Sequence, residues 1–318
     1  MELWIGLTIA GAFLQNLRSL LQKRLTGELS VNGAAYVRFV YAIPFAWIYV
    51  AYIWEGRVPD LNFAFLAYVI VGAIMQIIAT SALVAAVSGS HFAVGTALSK
   101  TEAVQAALLG LIILGDAVSS LALTGIALSL VGVFFLSGSI RTKDFLQGDA
   151  SVWYGVLAGT AFALCSVCFR GASLALSIDA DAGAQMHGLP TLGLAERAGF
   201  TLAVTLTLQT VLMGIYLSLR EPKQMAKVVR SWPVAVWVGL IGSVSSICWF
   251  TAMTLQNAAI VRALGQVELL FTLITSVFFL RERIRMREMV GMFLLVLGIL
   301  LLICCLLYTS PSPRDSDS

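Results

Sequence analysis

An all-α polytopic membrane protein, ten transmembrane helices arranged as two inverted five-helix repeats, is the fold class this sequence predicts, and three observations carry the prediction. The first is composition: of 318 residues, 59% are hydrophobic and 12% charged, about half the roughly 25% charge content of a soluble domain, and the mean hydropathy is +0.92. The second is the confinement of the cationic residues to alternate loops. The third is a repeat at a constant spacing of 166 residues. Ten spans of about 20 residues, each crossing about 30 Å of hydrocarbon, use roughly 200 residues. The loops are therefore short, and no polar stretch is long enough for a sizeable extramembrane domain. A soluble enzyme, a disordered chain and a disulfide scaffold are excluded, and the net charge of +3 points to no nucleic-acid partner.

Hydropathy windows of about 19 residues place the spans at 3–21, 34–54, 63–84, 93–114, 118–137, 152–174, 195–219, 233–254, 259–280 and 288–307. Trp4, Trp54, Trp153 and Trp232 fall at proposed ends, where amphipathic rings favour the interface. Lys23, Arg24, Arg141, Lys143, the cations from Arg220 to Arg230 and those from Arg281 to Arg287 all fall in odd-numbered loops, against Arg57 alone in the even ones. A miscounted span would scramble that segregation, so the even parity follows. The positive-inside rule then makes the odd loops cytoplasmic and puts both termini outside. Met1–Trp4 lacks the basic region of a cleavable signal, so the first apolar run reads as a span. Cys305–Asp315, CLLYTSPSPRD, resembles a translated sequencing adapter; residues 305–318 are read as an adapter-derived artefact tail. A bacterial inner (plasma) membrane is the expected location.

Cys165-Ser-Val-Cys168 has redox-motif spacing but lies inside an apolar helical run, where small apolar packing is the simpler use. His91 and His187 stand far apart with no Cys or acidic cluster at ligand spacing. No metal and no cofactor are expected.

At the spacing of 166, Ala97 pairs with Ala263, Leu98 with Leu264, Glu102 with Glu268, Leu114 with Leu280, Asp116 with Glu282, Gly125 with Gly291, Leu128 with Leu294 and Gly132 with Gly298. So many coincidences at one spacing indicate duplication. Residues 1–140 form the first five-helix repeat and 141–307 the second. Five spans is an odd number, so the second copy sits upside down, the arrangement of carriers that alternate access to a midplane site.

Ten helices in two halves, a buried Glu in helices 4 and 9, a loop acid in Leu-Gly-Asp116 and Leu-Arg-Glu282, and Gly-x6-Gly in helices 5 and 10 resemble the EamA type of the drug/metabolite transporter superfamily. The resemblance covers nearly the whole chain and is strongest over 93–136 and 259–302. It implies export or exchange of small metabolites such as amino acids. Two departures stand out: the family's usual Glu-Pro is Glu102-Ala103 and Glu268-Leu269 here, which removes the kinking proline. The family is also drawn with both ends cytoplasmic, opposite to the charge rule, and the sequence leaves the absolute orientation open.

Ionisable groups inside spans are expensive to insert and so default to functional candidates. Glu102 lies 14 residues before Asp116, about 21 Å along a helix, hence near the bilayer centre, and Glu268 bears the same relation to Glu282. Each reads either as a proton- or amine-binding carboxylate or as a structural acid that holds neighbouring helices. Lys100 and Gln266 precede the two acids by two residues, about 200° around a helix, so Lys100 and Glu102 must look to different neighbours. Arg262 and Gln266 share a helix face, which is read as cavity-lining, with the cations receiving a substrate carboxylate or the partner Glu; snorkelling is the alternative for Arg262. In helix 1, Gln15, Asn16 and Arg18 form a polar patch, with Arg18 a substrate contact or a counter-ion. Gln76 and Trp249 complete the candidate set; for Trp249, core packing competes with stacking on substrate. Arg38 and Arg197 are read as interface anchors, and the paired glycines as close helix packing.

These residues predict a secondary active transporter that exports small organic metabolites by alternating access, with proton coupling through Glu102 or Glu268. No Walker-type loop is present, so an ion gradient is the expected energy source. The expected partners are a small-molecule substrate and membrane lipid, with no nucleic acid; monomer and homodimer are both open. An uncoupled facilitator or channel is the rival reading. An intramembrane lipid-modifying enzyme would need an acidic cluster, a Ser/His pair or a metal set at membrane depth, none of which is evident, so no catalytic residue is expected.

Overall fold

The computed structural model describes residues 2–25, 28–54, 59, 61–88, 97–136, 150–187, 192–271, 273–274 and 286–309. Every regular element among them is helical. In chain order these are α1 (Leu3–Leu25), α2 (Val31–Val40), α3 (Ile43–Ile53), α4 (Phe63–Ser88), α5 (Glu102–Leu114), α6 (Ser120–Leu136), α7 (Ala150–His187), α8 (Leu194–Arg220), α9 (Pro222–Arg230), α10 (Trp232–Leu255), α11 (Ala258–Gly265) and α12 (Met286–Thr309). The predicted tail over 310–318 lies outside the described residues, whereas 305–309 continue α12.

Among the described residues, seven stretches are long and apolar enough to cross a membrane. Three of the predicted ten spans fall short of that measure for different reasons. The polar patch of α1 dilutes its hydropathy, although its 23 residues suffice in length. The 17 residues of α6 are one short of the 18 required of such a span. The segment predicted at 259–280 is interrupted at Gln266–Val267, and residues 275–280 lie outside the described set. Large apolar side chains such as Phe63, Leu219 and Phe293 point outward, as they should on a surface whose solvent is lipid.

Three breaks shape the interior. The span predicted at 34–54 is divided at Tyr41–Ala42, because Pro44 in the first turn of α3 cannot donate to the helix before it. The span predicted at 93–114 is broken at Lys100–Thr101 without any proline: the Lys100 and Thr101 amides donate three residues back, to Ala97 and Leu98, and the Thr101 hydroxyl donates to the Leu98 carbonyl at 2.6 Å. Gln266 and Val267 repeat the pattern, donating to Ala263 and Leu264. Close approach accompanies both breaks. A Cβ on Gly159 of α7 would lie 3.0 Å from the Leu98 carbonyl oxygen, and one on Gly265 would lie 2.2 Å from the Trp249 ring.

The largest packed pairs are α4 on α7, α6 on α12 and α1 on α10. Gly125 and Gly132 face Gly298 and Gly291 across the α6–α12 crossing, where added Cβ atoms would come within 2.5–2.9 Å of the opposing backbone. These glycines are used for close packing, in the manner of small-residue contacts between membrane helices. The short α9 lies between α8 and α10 and is tied to the start of α2: Glu221 accepts from the Ser30 hydroxyl and the Asn32 amide, which holds its carboxyl below the usual range.

Candidate functional site

One cavity of about 650 Å³ is lined by Gln15, Asn16 and Arg18 of α1, Gln76 of α4, Lys100 and Glu102 at the first proline-free break, Trp249 of α10, and Arg262, Gln266 and Glu268 around the second. All ten sequence-derived candidates thus meet in one place, at a volume suited to a small molecule. Sequence reasoning missed part of the wall. Arg38 lines the cavity, which corrects its reading as an interface anchor. The criterion that singled out Arg18, an ionisable group inside an apolar run, would have found it. Arg197 is absent from the lining. Phe162, Phe169 and Phe250 supply apolar wall that no sequence pattern distinguishes from core.

The charged groups of these two breaks pair between segments far apart in the chain. Lys100 bonds directly to Glu268, which also accepts from the Gln15 amide at 2.6 Å. Arg262 stands 3.8 Å from Glu102 and donates to the Ser166 hydroxyl at 2.7 Å. Its guanidinium lies over the Trp249 ring at 5.2 Å and the Phe162 ring at 5.8 Å, both cation–π distances. Trp249 therefore holds a cation as well as filling space. Gln266, 1% exposed, donates to the Lys100 carbonyl at 3.3 Å, so the two breaks touch each other. Glu102 occupies the first turn of α5, where the positive end of the helix favours an acid. Gln76 accepts from Gln209 of α8 at 2.5 Å.

Arg170 of α7 forms a further polar cluster beside the cavity, against the carbonyl of the cavity-lining Met253. Its guanidinium bonds Asp116, with Nε 2.5 Å from Oδ2, and one nitrogen reaches the carbonyls of Met253 at 2.8 Å, Thr254 at 3.3 Å and Gln256 at 2.9 Å. Those are carbonyls at the C-terminal end of α10, which lack helical partners and attract a cation. Asn257 adds a donor to the Asp116 carbonyl at 3.3 Å. The location follows from chain direction. Gly242 meets Arg18 and Gly11 meets Cys248 and Trp249, so α1 and α10 run antiparallel. Met253–Gln256 then lie beside the first turns of α1, away from the cavity-lining Gln15–Gln22.

Among the described residues no group of three or more His, Cys, Asp or Glu could hold a metal, and Cys165 and Cys168 are buried free thiols. Residues 196–304 match the EamA-like transporter family. That match lies within the second half of the chain and agrees there with the resemblance to the EamA type of the drug/metabolite transporter superfamily. No curated protein matches the chain. A crystal structure of another protein is similar over 94% of this chain and 98% of its own, with a TM-score of 0.67 at 14% identity, a likeness of fold.

Proposed function

We propose that this protein is an EamA-type secondary transporter that moves a small organic solute, outward in the cell, by alternating access to the central cavity, with residues 1–140 and 141–307 acting as inverted five-helix halves. The observation that carries the reading is the cavity itself, lined by residues of both halves. In this reading the Arg170–Asp116 clasp, set against the carbonyl of the cavity-lining Met253, bars one end, whereas an open channel would need both ends free. The inverted repeat is supported by how helices choose partners. Exchanging the first helix of one half with the first of the other, and third with third, turns the α1–α10 pair into the α7–α4 pair, and these are two of the largest contacts in the molecule. The α6–α12 crossing maps onto itself, glycine on glycine. In this reading the ten-helix count holds, with α2 and α3 one broken span and α11 the start of the ninth.

Glu102 and Glu268 each face a cation, so protonating either acid would free Arg262 or Lys100 and loosen the contact between the two breaks. That is a direct route from a proton gradient to movement of the halves. Proteoliposomes should therefore accumulate labelled solute, drawn from an organic-acid and amino-acid set, under a proton gradient and exchange it by counterflow. The Glu102→Gln, Glu268→Gln double variant should keep counterflow and lose gradient-driven accumulation. Full accumulation by the double variant would end the coupling proposal, and no exchange of any solute by folded protein would end the carrier reading.

A further inference from the structure

The cavity carries more positive than negative charge. Its lining contains Arg18, Arg38, Lys100 and Arg262 against Glu102 and Glu268. Lys100 and Arg262 each stand against an acid. Arg18 and Arg38 do not: neither makes an ion pair or hydrogen bond to any described residue, and the ring that Arg38 stands over is that of its own neighbour, Phe39, at 5.5 Å.

Arg18 is 6% exposed, and its buried Nε has no partner. Gly242 makes room for its stem, since a Cβ there would lie 3.1 Å from the Arg18 Cδ. Both arginines line the same cavity, where like charges repel. Glu268 attracts Arg18 but is already taken by Lys100 and Gln15. Two like charges held in a low-dielectric interior without acceptors among the described residues are costly, and two planar guanidinium forks offer ten N–H donors by the usual inventory of five each.

Resting on the transporter reading above for its meaning, we infer that the cavity binds a small organic anion carrying two negative charges, a dicarboxylate or a phosphate ester, with Arg18 and Arg38 receiving the charged oxygens. The aromatic wall of Phe162, Phe169 and Phe250 takes the carbon skeleton. This departs from a zwitterionic amino acid, whose ammonium group would meet only acids already paired with cations.

The test is calorimetric titration of the purified full chain, in phosphatidylcholine nanodiscs that offer no net anionic headgroup. The probes are succinate, glycerol 3-phosphate, glutamine and putrescine. At least one dianion should bind saturably and more tightly than glutamine or putrescine, and Arg18→Gln and Arg38→Gln should each weaken it about tenfold or more. Arg18→Lys, which keeps the charge and loses the fork, should fall between and guards against a variant that does not fold. Saturable binding of neither dianion, dianion binding that both Gln variants leave unchanged, or glutamine binding as tightly as the dianions would each overturn the inference. Counterflow of the same probes separates the two readings: a dianion that binds without exchanging leaves the anion site standing and removes the carrier, while glutamine exchange indifferent to both arginines does the reverse.

Discussion

Lys100 illustrates how a single buried charge depends on its partner. It stands two residues before Glu102 yet bonds Glu268 from the other half of the chain: it lies in the break before α5 rather than on that helix, and the second break brings Glu268 to it. Removing the ammonium leaves a carboxylate in a largely buried site, and breaking such a pair costs about 3–5 kcal/mol. We expect Lys100→Gln to lower the unfolding temperature in detergent markedly, with Glu268→Gln behaving alike and the double variant recovering most of the loss. Additive losses in the double variant would mean that the two side chains are not coupled. The polar candidates were legible because an ionisable residue in an apolar run has few structural uses. Their pairing was only half legible: geometry forbids the local pair, but which distant residue answers Lys100 depends on helix packing. Arg170 shows the complementary gap. It too sits in an apolar run, but its acceptors are mainly backbone carbonyls at a helix end, which no side-chain pattern announces.

Helices in this protein meet through missing atoms as much as through side chains. At the α6–α12 crossing, Gly298 approaches the Ser129 amide so closely that a Cβ would lie 2.5 Å from its nitrogen. Backbone cannot step aside as a flexible side chain does, so the helices must separate, and overpacking of this kind costs typically 1–3 kcal/mol. Gly298→Leu should exceed that range because a whole side chain must enter. The expected result is a lower unfolding temperature and poor recovery of monodisperse protein, whereas Leu297→Ala on the same helix, at a partly exposed position, should change little. Equal behaviour of the two variants would show that the glycine contact carries no special weight. The Gly-x6-Gly spacing made this element readable in advance. The breaks at Lys100–Thr101 and Gln266–Val267 were not, since both lack the proline that ordinarily signals one. What interrupts them is a shift to bonding three residues back, assisted at the first by a threonine hydroxyl and accompanied at the second by an indole ring packed over Gly265. The proline-driven break before α3 was available in Pro44.

At the scale of the whole molecule, the proposed alternating access requires one end of the cavity to be closed while the other is open. Spacing and charge parity suggest an inverted duplication, and in the proposed reading the closed side is the one where Arg170 bridges Asp116 to the end of α10. If this bridge holds the barred end shut, weakening it should shift the population toward opening there. In a cysteine-free background, Ser19→Cys places a thiol on the cavity wall at an exposed position of α1. A membrane-impermeant maleimide should label it from one face of oriented vesicles only. Adding Asp116→Asn keeps a hydrogen-bond acceptor but removes the negative charge opposite the Arg170 guanidinium, and a charge-assisted bond of this kind contributes about 1.5–3 kcal/mol. A shift of about 1.4 kcal/mol changes a two-state ratio tenfold, so labelling of Ser19→Cys from its original face should slow severalfold as the opposite conformation fills, while a thiol replacing Met253, buried beside the bridge, should become reactive from the other face. Faster labelling at both faces together would instead indicate a pore, and unchanged labelling at both would mean that the bridge is a structural clasp with no part in gating. Only opposed changes at the two faces fit a carrier, because alternating access requires that one entrance close as the other opens.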